Sequence, residues 1–142
     1  MKKILLDSSV LFTAVNSPTG GSAKLFTLQK IKLYTSPLIL TEVERNVRKK
    51  LSSYKLDRFF MLAEKLTVIE TNLHQKDIKK AEKVIAKKDA PILADAKNSG
   101  VDILITLDKK DFIQSRVEKF LSPKKIMTPK MLIEIIDKKI PS

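Results

Sequence analysis

The sequence predicts an α/β fold in which a parallel sheet is covered on both faces by helices. Two observations carry that reading. Short apolar runs such as Ile4-Leu5-Leu6 and "VDILIT" (101–106) are bounded by charged and turn-forming residues, as buried strands are. Between such runs lie longer segments with apolar residues at helical spacing, and strand and helix alternate to the end of the chain. The size agrees: 142 residues with 43% hydrophobic content make one domain over 1–142, able to bury roughly two-thirds of its unfolded surface.

In order, Ile4-Leu5-Leu6 forms the first strand, and Asp7-Ser8-Ser9 supplies short polar groups to cap the helix of "SSVLFTAV". Pro18, Gly20 and Gly21 break that helix. Residues 22–31 predict a second helix with Leu25, Phe26 and Leu28 inward, and "KLYTS" a brief strand. The next helix is the clearest. Ser36 can cap it, Pro37 fits its first turn, and Ile39, Val43, Val47 and Leu51 recur every four residues. Its polar side carries Arg45, Arg48, Lys49 and Lys50 toward the C-terminal end, where the helix dipole favours cations. "YKLDRFFMLAEKL" gives a helix whose apolar face, with Phe59, Phe60, Met61 and Leu62, is wider than a core contact needs and suits a protein surface such as a homodimer contact. "LTVIE" (66–70) predicts a strand. Over 74–87 Ile78, Ala81, Val84 and Ile85 line one helical face and lysines most of the rest. A further helix starts at Asp89-Ala90-Pro91 and ends at Gly100, followed by the strand of 101–106. The tail predicts a short strand and, from Thr128-Pro129, a last helix with Met131, Leu132, Ile135 and Ile136 inward.

Composition removes several classes of chemistry. Cysteine is absent, so disulfides and thiolate nucleophiles are excluded. The single histidine, His74, sits in a polar stretch as a solvated residue, so neither a catalytic triad nor a histidine metal cluster can be assembled. Three glycines cannot write a phosphate loop or a dinucleotide fingerprint. No apolar run reaches the ~20 residues that cross a bilayer, and the basic start meets Asp7 before a secretory core is complete. A cytoplasmic protein without a membrane partner is expected. Lysine and arginine total 28 against 16 acids, a net charge of +12, which points to a polyanion such as RNA through counterion release.

Four acids stand at the ends of predicted elements: Asp7, Glu42, Asp89 and Asp108. A parallel sheet gathers such ends on one side, where α/β proteins bind ligands. Two carboxylates ~4 Å apart repel by about 4 kcal/mol at an effective dielectric of 20, so a cluster of them needs protons or a divalent cation. Oxygen-only ligands suit Mg²⁺ or Mn²⁺, and the chemistry that follows is phosphodiester hydrolysis. Asp7, Asp89 and Asp108 are the candidate metal ligands, with Asp89 alternatively a base just behind the metal, and Glu42 is the orienting group or a base acting through water. Ser8, Ser9 and Thr106 can hydrogen-bond these carboxylates or a phosphate. Glu44 lies about 200° from Glu42 around the helix, so only one of the two can face the site, and Asp95 lies about 240° from Asp89 and points elsewhere.

"ILLDSSVLF", "SPLILTEVERNV" and "KDAPILADAKNSGVDILITLDKKDF" together resemble the motifs of PIN-domain ribonucleases, especially the VapC-like toxins and related stand-alone prokaryotic proteins. The likeness spans nearly the whole chain. It implies a three-layer α/β/α sandwich with a central parallel sheet of four or five strands, Mg²⁺- or Mn²⁺-dependent cleavage of RNA, a homodimer, and a small antitoxin protein that blocks the site. By position, Asp7, Glu42, Asp89 and Asp108 match the four family acids, with Asp111 an outer acid. Leu107 departs from the small or polar residue that many relatives carry before the fourth aspartate. Two other readings compete. A non-catalytic basic RNA-binding or protein-interaction domain of the same fold fits the +12 charge. A phosphatase with Asp7 as nucleophile fits less well, because "DSSV" lacks a second aspartate two residues on.

Overall fold

The computed structural model describes residues 1–70 and 73–139. Five strands form one all-parallel sheet: β1 (Lys2–Leu6), β2 (Ile31–Thr35), β3 (Thr67–Val68), β4 (Ile103–Ile105) and β5 (Lys125–Met127), in the order β3-β2-β1-β4-β5. The central strand β1 pairs with β2 through Lys2 to Leu5 and with β4 through Ile4 to Leu6. Because both faces of β1 are covered, Ile4, Leu5 and Leu6 are all fully buried, which is why the strand reads as a continuous apolar run.

The chain winds outward from β1 to β3, then returns to β4 and continues to β5. Parallel crossovers are right-handed, so the reversal sends the helices of the two halves to opposite faces. On one face α1 (Ser8–Asn16), α3 (Pro37–Lys50) and α4 (Tyr54–Ala63) pack together, joined by α2 (Gly21–Lys24) and α9 (Pro129–Lys139). On the other, α6 (Ala90–Asn98) packs on α5 (Gln75–Glu82) and α8 (Ser115–Leu121). The result is a three-layer α/β/α sandwich. The reversal between β1 and β4 also makes their carboxyl ends the place where loops diverge and a ligand can enter.

Local chemistry sets the element ends. Asp7 caps α1 by accepting the Val10 N–H at 3.2 Å, and Ser36 caps α3 by accepting the Ile39 N–H at 3.1 Å with Pro37 in the first turn. Ile39, Val43 and Val47 are buried as the four-residue stripe requires, and Leu51 closes the helix half-buried. At α4 the wide apolar face divides. Phe59 and Leu62 enter the core, while Phe60 and Met61 stay 45% and 46% exposed.

Several boundaries differ from the sequence expectation. Residues 22–31 are not one helix: α2 is four residues, a 3₁₀ turn covers Leu25–Thr27, and Ile31 already belongs to β2, where its pairing with Lys2 starts the sheet. The strand expected over 66–70 keeps only the exposed edge residues Thr67 and Val68, although Leu66 and Ile69 on either side are buried. The helix expected over 74–87 ends at Glu82, with Ile85 buried in the turn beyond it. Gly100 does not close α6. The helix ends in extended backbone at Ser99, and the Lys124 ammonium donates to the carbonyls of Ala96, Lys97 and Ser99, satisfying groups that a glycine cap would otherwise serve. Two helices, α7 (Lys109–Phe112) and α8, were not expected. Ile140, which closes the tail segment, lies outside the described residues.

Candidate metal centre

At the carboxyl end of the sheet a cavity of about 280 Å³ is lined by Asp7, Glu42, Asp89 and Asp108, among others. Each reaches it from a different element: the end of β1, the second turn of α3, the start of α6 and the loop after β4. The four acids, far apart in sequence, therefore face one space.

Asp7 lies at the floor, 4% exposed. Its Oδ1 accepts the Ser9 hydroxyl at 2.5 Å and its Oδ2 the Thr106 hydroxyl at 2.6 Å. Both hydroxyls also accept from the loop after β4: Ser9 Oγ takes the Leu107 N–H at 3.2 Å and Thr106 Oγ1 the Asp108 N–H at 3.0 Å. Asp7 is thus tied through two short side chains to the backbone that presents Asp108. Burial pushes the Asp7 carboxyl above its ordinary value, and the hydrogen bonds from Ser9, Thr106 and the backbone pull against that rise.

Glu42 accepts the Ser8 hydroxyl at Oε2, 2.9 Å. Glu44 instead pairs with Arg48 at 3.1 Å on the exposed side of α3. Asp95 is buried within α6 and is not on the cavity wall. The position of Asp95 follows its helical angle, and the angle between Glu42 and Glu44 lets only one of them face the cavity.

The tightest grouping is Asp89, Asp108 and Asp111. One carboxylate oxygen from each lies within 4.8 Å of the other two. Asp7, read from sequence as a metal ligand, is outside this set, and Asp111, read as an outer acid, is inside it. Asp108 also caps α7 by accepting the Asp111 N–H at 3.1 Å, which fixes the spacing of the two. Asp89 occupies the N-cap position of α6 but makes no side-chain cap bond, and its Oδ2 is buried without a hydrogen-bond partner among the described residues. Its carboxyl is pushed up to about 6, mainly by burial and then by the charges of Asp108, Asp111 and Asp7, with Lys88 opposing. A buried oxygen with lone pairs and no donor, beside two more carboxylates, is the donor set that a hard divalent cation takes. The residues present fit such an ion.

Sequence reasoning did not single out Phe12, Asn46, Lys88, Ile92 and Phe112, which complete the walls. Asn46 was within reach, since it follows Glu42 by four residues on the same face of α3. Lys88 directly precedes Asp89.

A family model described as PIN domain matches residues 4–119, a span that contains every acid of the cavity. No curated protein matches the chain.

Proposed function

The chain belongs to the PIN-domain family, and on that premise we propose that it is a divalent-metal-dependent endoribonuclease that hydrolyses RNA phosphodiester bonds. The observation that carries the proposal is the buried, unpartnered Asp89 Oδ2 beside Asp108 and Asp111. Asp89, Asp108 and Asp111, with Asp7 beneath them, would hold Mg²⁺ or Mn²⁺, which supplies Lewis-acid polarisation of the phosphate and charge for the departing oxygen.

The chain's own residues supply the rest. Glu42 is oriented by the Ser8 hydroxyl through Oε2, which leaves Oε1 to take a proton from the attacking water. Ser9 and Thr106 keep Asp7 and the Asp108 backbone in register. Lys88 and Asn46 on the wall offer N–H donors to phosphate oxygens. The net charge of +12 supports an RNA substrate.

The finer reading is a cytoplasmic toxin of a toxin–antitoxin pair. Among the described residues no helix is long and apolar enough to cross a membrane. The exposed Phe60 and Met61 on α4 support a protein contact, either a second copy or a small antitoxin.

The test is cleavage of end-labelled RNA with Mn²⁺, Mg²⁺ or EDTA, for the wild type and for Asp7→Asn and Asp108→Asn. Metal-dependent cleavage that both substitutions abolish, with the fold intact by circular dichroism, is expected. Unchanged cleavage in both purified variants would remove the site. Salt-sensitive RNA binding without cleavage under any metal would point to the non-catalytic domain instead.

A further inference from the structure

The other end of the sheet holds a larger cavity, about 630 Å³, within the roughly 300–1,000 Å³ typical of small-molecule sites. Lys2, Ile31, Ile103 and Lys125 on its wall are the first residues of β1, β2, β4 and β5, so it opens where the strands begin. α9 closes one side with Leu132, Ile135 and Ile136. Among the described residues the lining has no aromatic ring, so a planar ligand finds no stacking partner there, whereas a flexible alkyl chain finds aliphatic contacts.

The polar groups are unevenly used. Lys124 is engaged by the carbonyls that end α6. Lys2, Lys30 and Lys125 are exposed, and among the described residues none of them has a carboxylate within ion-pair distance. Ser99 Oγ, also on the wall, is buried without a hydrogen-bond partner among the described residues. Asp102 is the lone acid of the lining among the described residues, and its Oδ2 accepts the Lys3 backbone N–H at 2.9 Å. Apolar walls with three ammonium groups that have no carboxylate partner, and an unused hydroxyl, complement an alkyl chain that ends in an anionic group.

We propose that this cavity binds an aliphatic monocarboxylate, a medium-chain fatty acid anion, with its chain against α9 and the strand starts and its carboxylate among Lys2, Lys30 and Lys125. The site lies at the opposite end of the sheet from the carboxylate cluster and stands or falls independently of the nuclease reading.

The test is calorimetric titration of the full chain with octanoate and with octanol, in EDTA so that the carboxylate cannot report on a metal elsewhere. Saturable 1:1 binding of octanoate is expected, with octanol at least tenfold weaker. Gly100→Leu provides a probe that leaves the fold alone. Gly100 is on the wall, its φ is not positive, and a Cβ there meets no heavy atom within 4 Å. It should weaken octanoate at least tenfold without lowering Tm. Lys30→Glu should weaken octanoate similarly while leaving octanol unchanged. Equal affinity for octanol and octanoate would overturn the proposal, as would octanoate binding indifferent to both substitutions. So would binding that emerges only when residues 140–142 are deleted, since the chain's own end would then be the occupant.

Discussion

Asp89→Asn should stabilise the metal-free protein and abolish its stabilisation by metal. The Asp89 carboxyl has an ordinary value of 3.8 and is pushed up to about 6 in the fold. Well below pH 3.8 it is protonated in both folded and unfolded chains and costs nothing. As pH rises toward 6 the unfolded chain releases the proton while the folded chain keeps it, so stability falls across that window and the full cost is present above it. At 1.36 kcal/mol per pH unit the whole displacement is worth about 3 kcal/mol. Solvent reaches the open side of the carboxylate and screens part of this, leaving roughly 1–2 kcal/mol. For a chain of this length that corresponds to about 3–8 °C in Tm. Asparagine removes the charge and forfeits no cap bond, because Asp89 makes none. Thermal unfolding in EDTA should therefore show variant and wild type converging below pH 3.8 and the variant more stable at pH 7. With Mn²⁺ at 100 times Kd the wild type should gain about 2.7 kcal/mol and the variant little. A variant no more stable than wild type at pH 7 in EDTA, or an advantage that does not change with pH, would refute the reasoning.

Thr106→Val preserves shape but leaves Asp7 Oδ2 and the Asp108 N–H without the hydroxyl that joins them; a loss of about 1–3 kcal/mol is expected in urea unfolding, together with weaker Mn²⁺ binding. Glu42→Gln should lower RNA cleavage by roughly 10²- to 10⁴-fold as a lost proton acceptor. Glu44→Gln breaks only the exposed pair with Arg48, so cleavage should persist and stability should move by less than about 1 kcal/mol. Lys124→Met removes the donor that serves three carbonyls at the end of α6; about 1–3 kcal/mol of destabilisation and faster amide exchange in the last turn of α6 are expected.

What the sequence disclosed follows from how local each signal was. α3 was legible because Ser36, Pro37 and a four-residue apolar stripe all lie within the helix itself. β4 and the last three residues of β1 were legible because burial selects apolar residues at each of those positions. The 22–31 segment misled because Leu25, Phe26 and Leu28 pack on the core from a 3₁₀ turn and an extended residue as readily as from a helix. α7 and α8 escaped because each is too short for a period to establish itself. The end of α6 rests on Lys124, which follows Ser99 by 25 residues, and no neighbouring residue announces it. At the cavity the helical angle admits only one of Glu42 and Glu44, and the family motif picked out Glu42. The promotion of Asp111 over Asp7 into the tight group depended on the α7 cap, which was not foreseen.

An acid at an element end has an ordinary explanation as a helix cap, and the competing explanations separate residue by residue. Capping accounts for Asp7, which accepts the Val10 N–H, and for Asp108, which accepts the Asp111 N–H. It does not account for Asp89. That residue holds a cap position, makes no cap bond, buries an oxygen without a donor and sits among carboxylates that raise its proton affinity. A residue selected only to start a helix would be better as serine or threonine, which cap without bringing charge to a site where charge is costly. Asparagine at position 89 would likewise improve the apoprotein. A chain that keeps aspartate there accepts lower stability, and that cost is offset only when something positive enters the cavity.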